Sequence, residues 1–350
     1  MTIFELFDYT IERNASDLHL VVGYYPAIRI NNELVSLKRF LVLDETLMRD
    51  LVFSILDTDQ KQNLFLNKEI DFGLEYKGYR FRTNIYFARG KIAAAFRLIN
   101  KVINNLENLN LPADLRRIAD FNQGLVLVTG PTGEGKSTTI ASLINIINLN
   151  YFKHIITIED PIEYLFPKGK SIVSQREIHQ DTLSWRAALR SVLREDPDVV
   201  LIGEMRDYET IQSALTIAET GHLVFSSLHT GSAPESINRI IDVFPAHQQN
   251  QIKTQLSAVL KLIIAQRLVP DINFSGRIPA IEILYNNMAV SAVIREGKTF
   301  LVDNILETSE SEGMIIFEKY LAKLYYQGKI TKETAIKYAI RPTQIEKFIK

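Results

Sequence analysis

The stretch VLVTGPTGEGKSTTIASLI, running from Val126 to Ile144, decides the fold. It enters as a short apolar run, passes through Gly130-Pro131-Thr132-Gly133-Glu134-Gly135-Lys136-Ser137-Thr138, and leaves as a helix-forming run. The segment Gly130 to Ser137 matches G-x-x-x-x-G-K-[ST] in the strand-loop-helix context that the motif requires. Glycines let backbone N–H groups turn inward around a phosphate, and the helix that follows offers its partial positive end. Lys136 is placed to reach the β- and γ-phosphates of ATP, and the Ser137 hydroxyl to ligate Mg²⁺. Residues 130–138 are therefore the expected ATP-binding loop. Glu134 is out of character there. A carboxylate in an anion-binding loop is expected to face solvent or pair with a cation, and its removal to leave affinity similar or better.

Downstream, HIITIED, VVLIGE and HLVFSSL are short apolar runs separated by helical stretches. That pattern predicts a mostly parallel sheet covered by helices on both faces. A nucleotide site also needs a carboxylate on the Mg²⁺ side and a group that orients water. PDVVLIGE is a strand ending in Glu204, at the carboxyl edge where such an acid sits. The plain alternative is a surface glutamate after a strand. TIEDPIEY supplies Glu159 and Glu163 around Pro161. In one reading Asp160, Pro161 and Glu163 form a helix capping box. In the other, Glu163 polarises water at the γ-phosphate while Glu159 holds magnesium-bound water. The two are compatible. TGHLVFSSLHT sets His222 and His229 at either end of a strand. They are surface or capping histidines, or sensors of a γ-phosphate. A zinc site fails, because the chain has six histidines, no suitably spaced third ligand and no cysteine.

Upstream, residues 3–13 carry helical periodicity, DLHLVV and AIRINNELVSL read as strands with a tight Asn31-Asn32 turn, and residues 44–67 read as a helix capped by Asp44. IDFGLEYKGYRFRTNIYFARGKIAAAFRLI reads as strands punctuated by Gly73, Gly78 and Gly90. Residues 1–98 are thus expected to form an α+β domain, and the Asn-rich residues 99–112 a linker. A helix over Ala113 to Asp120 then leads into residues 113–350, whose last portion is helical and includes a face of Phe317, Leu321, Leu324 and Tyr325 stopping at Gly328. Arg82 and Arg97 lie on strands of the first domain. An ATP site commonly draws an arginine from outside its own loop, supplied in trans.

Composition agrees with this division. At 350 residues the chain is long enough for two cores. With 46% hydrophobic and 23% charged residues it has the balance of a globular protein. A formal net charge of −1 argues against a nonspecific nucleic-acid binder. Without cysteine there are no disulfides and no thiolate metal sites. The opening MTIFELFDYTIERNASD lacks the pattern of a signal peptide, and no window reads as a transmembrane helix, so no direct membrane insertion is expected.

Together these segments resemble the type IV pilus retraction ATPases, the PilT and PilU family, within the wider secretion ATPase superfamily. ASDLHL (15–20) is similar to the family's N-terminal signature, GPTGEGKSTT to its Walker A, HIITIEDPIEY to its Asp box, LREDPDVVLIGEMRD to its Walker B and AETGHLVFSSLHT to its His box. AVSAVIREGK (289–298) is similar to the AIRNLIRE element mainly in its second half. The C-terminal LYYQGKITKETAIKYA is closer to PilU, and REDPDVVLIGEMRD to PilT. The resemblance covers nearly the whole chain. It implies an α/β protein with a PAS-like N-terminal domain, then a RecA-like P-loop ATPase domain with C-terminal helices, assembled as a homo-hexamer. It implies that Glu163 is the catalytic glutamate, Glu204 the Walker B acid, and Arg82 and Arg97 the arginines that reach the nucleotide. The implied function is a cytoplasmic, Mg²⁺-dependent ATPase that drives pilus retraction. Its implied partners are an inner-membrane platform protein and a sister retraction ATPase, with no nucleic acid. The rival readings are a pilus assembly or type II secretion ATPase, which tends to carry an extra N-terminal domain and four metal-binding cysteines, and a RecA-like nucleic-acid translocase, which needs a basic, aromatic-laced surface.

Overall fold

The computed structural model describes every residue except 31, 32, 100, 101 and 350. The Asn31-Asn32 turn expected from the sequence lies outside the described residues. The chain divides into two compact units. The first takes Met1–Val102 together with Asp160–Leu165 and Glu177–Asp181; the second takes Ile103–Glu159, Phe166–Arg176 and Thr182–Lys350. The Asn-rich stretch is more than a linker, since Leu106 and Leu111 are buried in the core of the second unit.

In the first unit, α1 (Ile3–Glu12) starts from a capping box in which Thr2 and Glu5 exchange hydrogen bonds. Strands β1 (Asp17–Val21), β2 (Ala27–Ile30) and β3 (Glu33–Ser36) follow. The expected single helix over 44–67 is two helices, α2 (Glu45–Phe53) and α3 (Thr58–Asn67). Asp44 caps the first as expected, but Asp57 and Gln60 form a second capping box, which starts a new helix. Strands β4 (Glu69–Tyr76), β5 (Tyr79–Ala88) and β6 (Lys91–Ile99) complete a six-stranded sheet in the order β3-β2-β1-β6-β5-β4. Gly78 and Gly90 lie at turns between strands, whereas Gly73 lies inside β4.

Alternation decides what each face of this sheet does. Phe81, Thr83 and Ile85 of β5 are buried, and Phe7 of α1 stacks on Phe81 at 4.5 Å and meets Phe96 edge-on at 5.1 Å. The other face carries charge. There the antiparallel register sets Arg29 opposite Asp17, Asp17 opposite Arg97, Arg97 opposite Arg82, and Arg82 opposite Gly73. Directly opposed residues share a face, so these five positions form one row across the sheet.

In the second unit a 3₁₀ turn (Ala113–Asp120) precedes β7 (Gly124–Thr129) and α4 (Lys136–Asn150). Then come β8 (His154–Glu159), β9 (Ile172–Glu177), α5 (Trp185–Val192), β10 (Val199–Ile202), α6 (Tyr208–Glu219) and β11 (Leu223–Leu228). After α7 (Ala233–Asp242) and α8 (Ala246–Val259), a hairpin of β12 (Leu260–Pro270) and β13 (Arg277–Tyr285) has no counterpart in the sequence reading. Helices α9 (Met288–Glu296), α10 (Val302–Thr308), α11 (Phe317–Tyr326), α12 (Lys332–Tyr338) and α13 (Pro342–Phe348) end the chain. The sheet order is β13-β12-β7-β11-β10-β8-β9, with β12, β7, β11, β10 and β8 mutually parallel. Every residue of β7, β10 and β11 is buried, which is why these strands read as unbroken apolar runs. At the other end of the chain Arg341 pairs with Glu318, Glu282 and Asp303 at 3.0, 3.3 and 2.6 Å, tying α13 to α11, β13 and α10.

Candidate active site

Parallel pairing gathers the expected ATP-site residues of the second unit at one sheet edge. Thr129 of β7 stands opposite Leu228 of β11, and Ile202 of β10 opposite both Ser226 and Ile158. The next residues out from these strand ends are Gly130, His229, Gly203-Glu204 and Glu159.

The loop after β7 is held from three sides. Gly130 has φ 149°, and a Cβ there would stand 2.3 Å from the Gln266 carbonyl oxygen of β12. Only glycine allows that approach. Gly135 ends the loop, and α4 has no side-chain cap, which leaves its first N–H groups for an anion. Lys136 is buried, and its Nζ donates to the carbonyls of Gly130 at 2.7 Å and Pro131 at 2.9 Å. The buried Gln266 ties the end of the loop to the helix that follows: its Oε1 accepts from Thr139 of α4 at 2.8 Å, and its Nε2 donates to the Glu134 carbonyl at 2.6 Å.

Glu134 departs from expectation. It has neither a purely solvent nor a cationic setting, because its carboxylate accepts the Leu268 N–H of β12. Its charge is thereby turned onto a backbone donor, and the same bond pins the loop to the sheet.

His229 spans the two sides of the site. Its Nδ1 lies 3.4 Å from Lys136 Nζ and 3.3 Å from Thr132 Oγ1, and its Nε2 lies 2.9 Å from Glu204 Oε1. Lysine only donates and a carboxylate only accepts, so Nδ1 accepts and Nε2–H donates. Glu204 also takes Arg206 Nε at 2.8 Å. Glu159, buried at the end of β8, accepts from Gln175 Nε2 at 3.3 Å. His222 is not brought to this edge. The Gly124 N–H donates to its carbonyl at 2.9 Å, and its Nδ1 faces the Ile217 carbonyl at 3.0 Å, both at the amino end of the strands. The six residues of β11 separate it from His229, about 20 Å at strand rise. It has the environment of a capping histidine.

The remaining candidates belong to the first unit. Arg82 pairs with Asp71 at 2.7 Å and Arg97 with Asp17 at 2.9 Å. The hydrogen bonds that Arg82 donates to Asp71, and then the charges of Asp71, Glu163 and Asp160, hold the Arg82 guanidinium above its ordinary pKa. Glu163 is exposed, and no helix follows Pro161, so the capping-box reading of Asp160-Pro161-Glu163 does not hold.

Hard oxygen donors suit Mg²⁺. Ser137 in the first turn of α4 and Glu204 beyond β10 supply such donors at the phosphate edge. Among the described residues no group of three or more His, Asp or Glu side chains forms a metal cage.

Sequence reasoning passed over Gln266, Asp17 and Asp71. Gln266 had a signal, as an amide inside the apolar run LKLIIAQRLV. The two aspartates acquire meaning only through strand register.

A parallel sheet with a glycine-rich loop, a buried lysine and carboxylates at its carboxyl edge defines a P-loop ATPase. The chain belongs to the type II/IV secretion system protein family, whose family model matches residues 10–343. It is 41% identical to the type IV pilus retraction ATPase PilT of Pseudomonas aeruginosa over 96% of this chain and 97% of that one. It is 37% identical to the type IV pilus ATPase PilU of the same organism, over 97% of this chain and 89% of that one. Among solved structures it resembles the pilus retraction motor PilT with bound ADP, with a TM-score of 0.92, 45% identity and 99% of each chain covered.

Proposed function

We propose that this chain is an ATP-driven motor of type IV pilus retraction, acting as a homo-hexamer with Mg²⁺. The observation that carries the reading is its likeness to the ADP-bound PilT motor across 99% of both chains. The P-loop N–H groups and Lys136 hold the phosphates, and Ser137 and Glu204 hold Mg²⁺. A Mg²⁺ held there would supply charge neutralisation at the phosphates. Glu163 orients the attacking water, with Glu159 beside the metal's water shell. Arg82 and Arg97 stabilise charge on the transferring phosphoryl group, and His229 reports the γ-phosphate to Glu204. Hydrolysis is an in-line attack by water, accelerated by positioning and charge neutralisation. The motor acts at the cytoplasmic face of the inner membrane on a platform protein, with a sister retraction ATPase as a further partner. Among the described residues no helix is long and apolar enough to cross a membrane.

Deletion of the gene in its native host tests the direction of force. Surface piliation is expected to rise and twitching motility to stop. Loss of pili instead would identify an assembly motor.

A further inference from the structure

Gly73 raises a question that the ATP site does not answer. It lies mid-strand in β4, the edge strand of the first unit's sheet, and both of its backbone groups turn outward to side chains. Its N–H donates to Glu177 Oε1 at 2.7 Å, and its carbonyl accepts from Gln180 Nε2 at 2.8 Å. A Cβ at this position would stand 2.3 Å from Arg80 Nη2 and 2.7 Å from Glu177 Oε2. Glycine is needed here to admit an ion pair rather than to make a turn.

That ion pair is buried, with side-chain exposures of 12% for Arg80 and 1% for Glu177. The second carboxylate oxygen of Glu177 takes Arg80 and also the Ile162 N–H, the latter at 3.0 Å. Three donors on one buried carboxylate leave it fully satisfied and fixed in place. The Ile162 side chain is buried, while Glu163, the next residue, is exposed and contributes to the raised pKa of Arg82. Arg80 and Arg82 leave the same face of β5. One of them locks the segment that carries Glu163, and the other lies in its field.

We infer that Glu177, with Arg80, is a positioning residue that fixes Glu163 to the same unit as Arg82, so that one chain presents glutamate and arginine as a single preformed group. The inference rests on the reading of Glu163 as the residue that orients water.

The test uses the full-length ATPase and follows turnover, KM and the affinity for a fluorescent ADP analogue. Glu177→Gln preserves volume but turns an amide toward one of three donors. It is expected to lower kcat by roughly 10- to 100-fold, the scale for a misplaced catalytic group, with KM and ADP affinity unchanged. Gly73→Ala keeps every functional group and only displaces Arg80 and Glu177. It is expected to show the same split, and it decides the matter alone if Glu177→Gln does not fold. In a Glu163→Gln background neither change is expected to cost more turnover, since both act through the missing carboxylate. Normal kcat in both variants, a parallel loss of ADP affinity, or the same fold-loss with and without Glu163 would each overturn the inference. Full activity of Glu163→Gln alone would remove the catalytic reading and the inference together. An inactive Glu163→Gln beside an active Glu177→Gln would remove the inference only.

Discussion

The two units hold their charged groups by different means. In the second unit the phosphate site is local: one loop of fewer than ten residues, followed by the helix that shares its charge. In the first unit, Arg29, Asp17, Arg97 and Arg82 come from four strands and meet only because the register aligns them. The loop is fastened by a buried amide and a backbone hydrogen bond, through Gln266 and Leu268. The arginines are held by carboxylate pairs, with side-chain exposures of 39% for Arg82 and 67% for Arg97. A local site tolerates little movement, whereas exposed ion pairs cost little to exchange. Arg82 can leave the exposed Asp71 at little cost, whereas Asp17, with 10% side-chain exposure, would keep only Arg29 at 3.9 Å as an ionic partner if Arg97 left it.

The sharpest way to break this contrast is Arg97→Ala. Turnover is expected to fall about 10³-fold, the scale of an arginine that stabilises phosphoryl transfer, while melting temperature and ADP affinity hold. A matching loss of stability would make Arg97 structural. Mixing this variant with Glu163→Gln extends the test. Glu163 and the arginines share one unit, so the mixed assembly is expected to stay as inactive as its parents. Recovery on mixing would show that they serve different nucleotides.

Charge in the second unit behaves differently where it is buried. Arg341→Ala strands Glu282 and Glu318, both with 0% side-chain exposure, and is expected to cost about 3 to 5 kcal/mol in chemical denaturation. Asp71→Asn, which breaks an exposed pair, is expected to cost under about 1 kcal/mol. Equal costs would erase the distinction between buried and exposed pairs.

Glu163→Gln is expected to lower turnover by about 10²-fold with nucleotide binding kept. Near-normal turnover with altered stability would leave Glu163 a structural residue of the first unit.

The smallest effect belongs to Glu134→Ser. Losing its bond to Leu268 is worth about 1 kcal/mol, or about fivefold weaker ATP binding in a titration. Affinity equal to or better than the wild type would mean that the carboxylate is only an electrostatic burden, as the sequence suggested.

Much of the site was legible in one dimension. The phosphate loop, Glu204 and His229 lie on or beside short apolar strands whose parallel pairing carries them to one edge, so motif and periodicity were enough. His222 shows the limit of that reasoning. A strand has two ends, and only its direction in the sheet says which one meets the loop. The capping-box reading of Glu163 misled for a related reason. Its spacing suits a helix terminus, but the buried Glu177 carboxylate takes the Ile162 N–H instead, and no helix forms.

What the sequence determined by itself was therefore the local chemistry: a strand-loop-helix that binds phosphate, apolar runs that must be buried, and the residue types around them. The tertiary structure alone decided which distant residues face one another. Gly73, Arg80, Ile162 and Glu177 are separated by up to 104 positions, and no periodicity links them. Register and edge-strand hydrogen bonding set that meeting, because each depends on how whole strands align rather than on any residue's own preference.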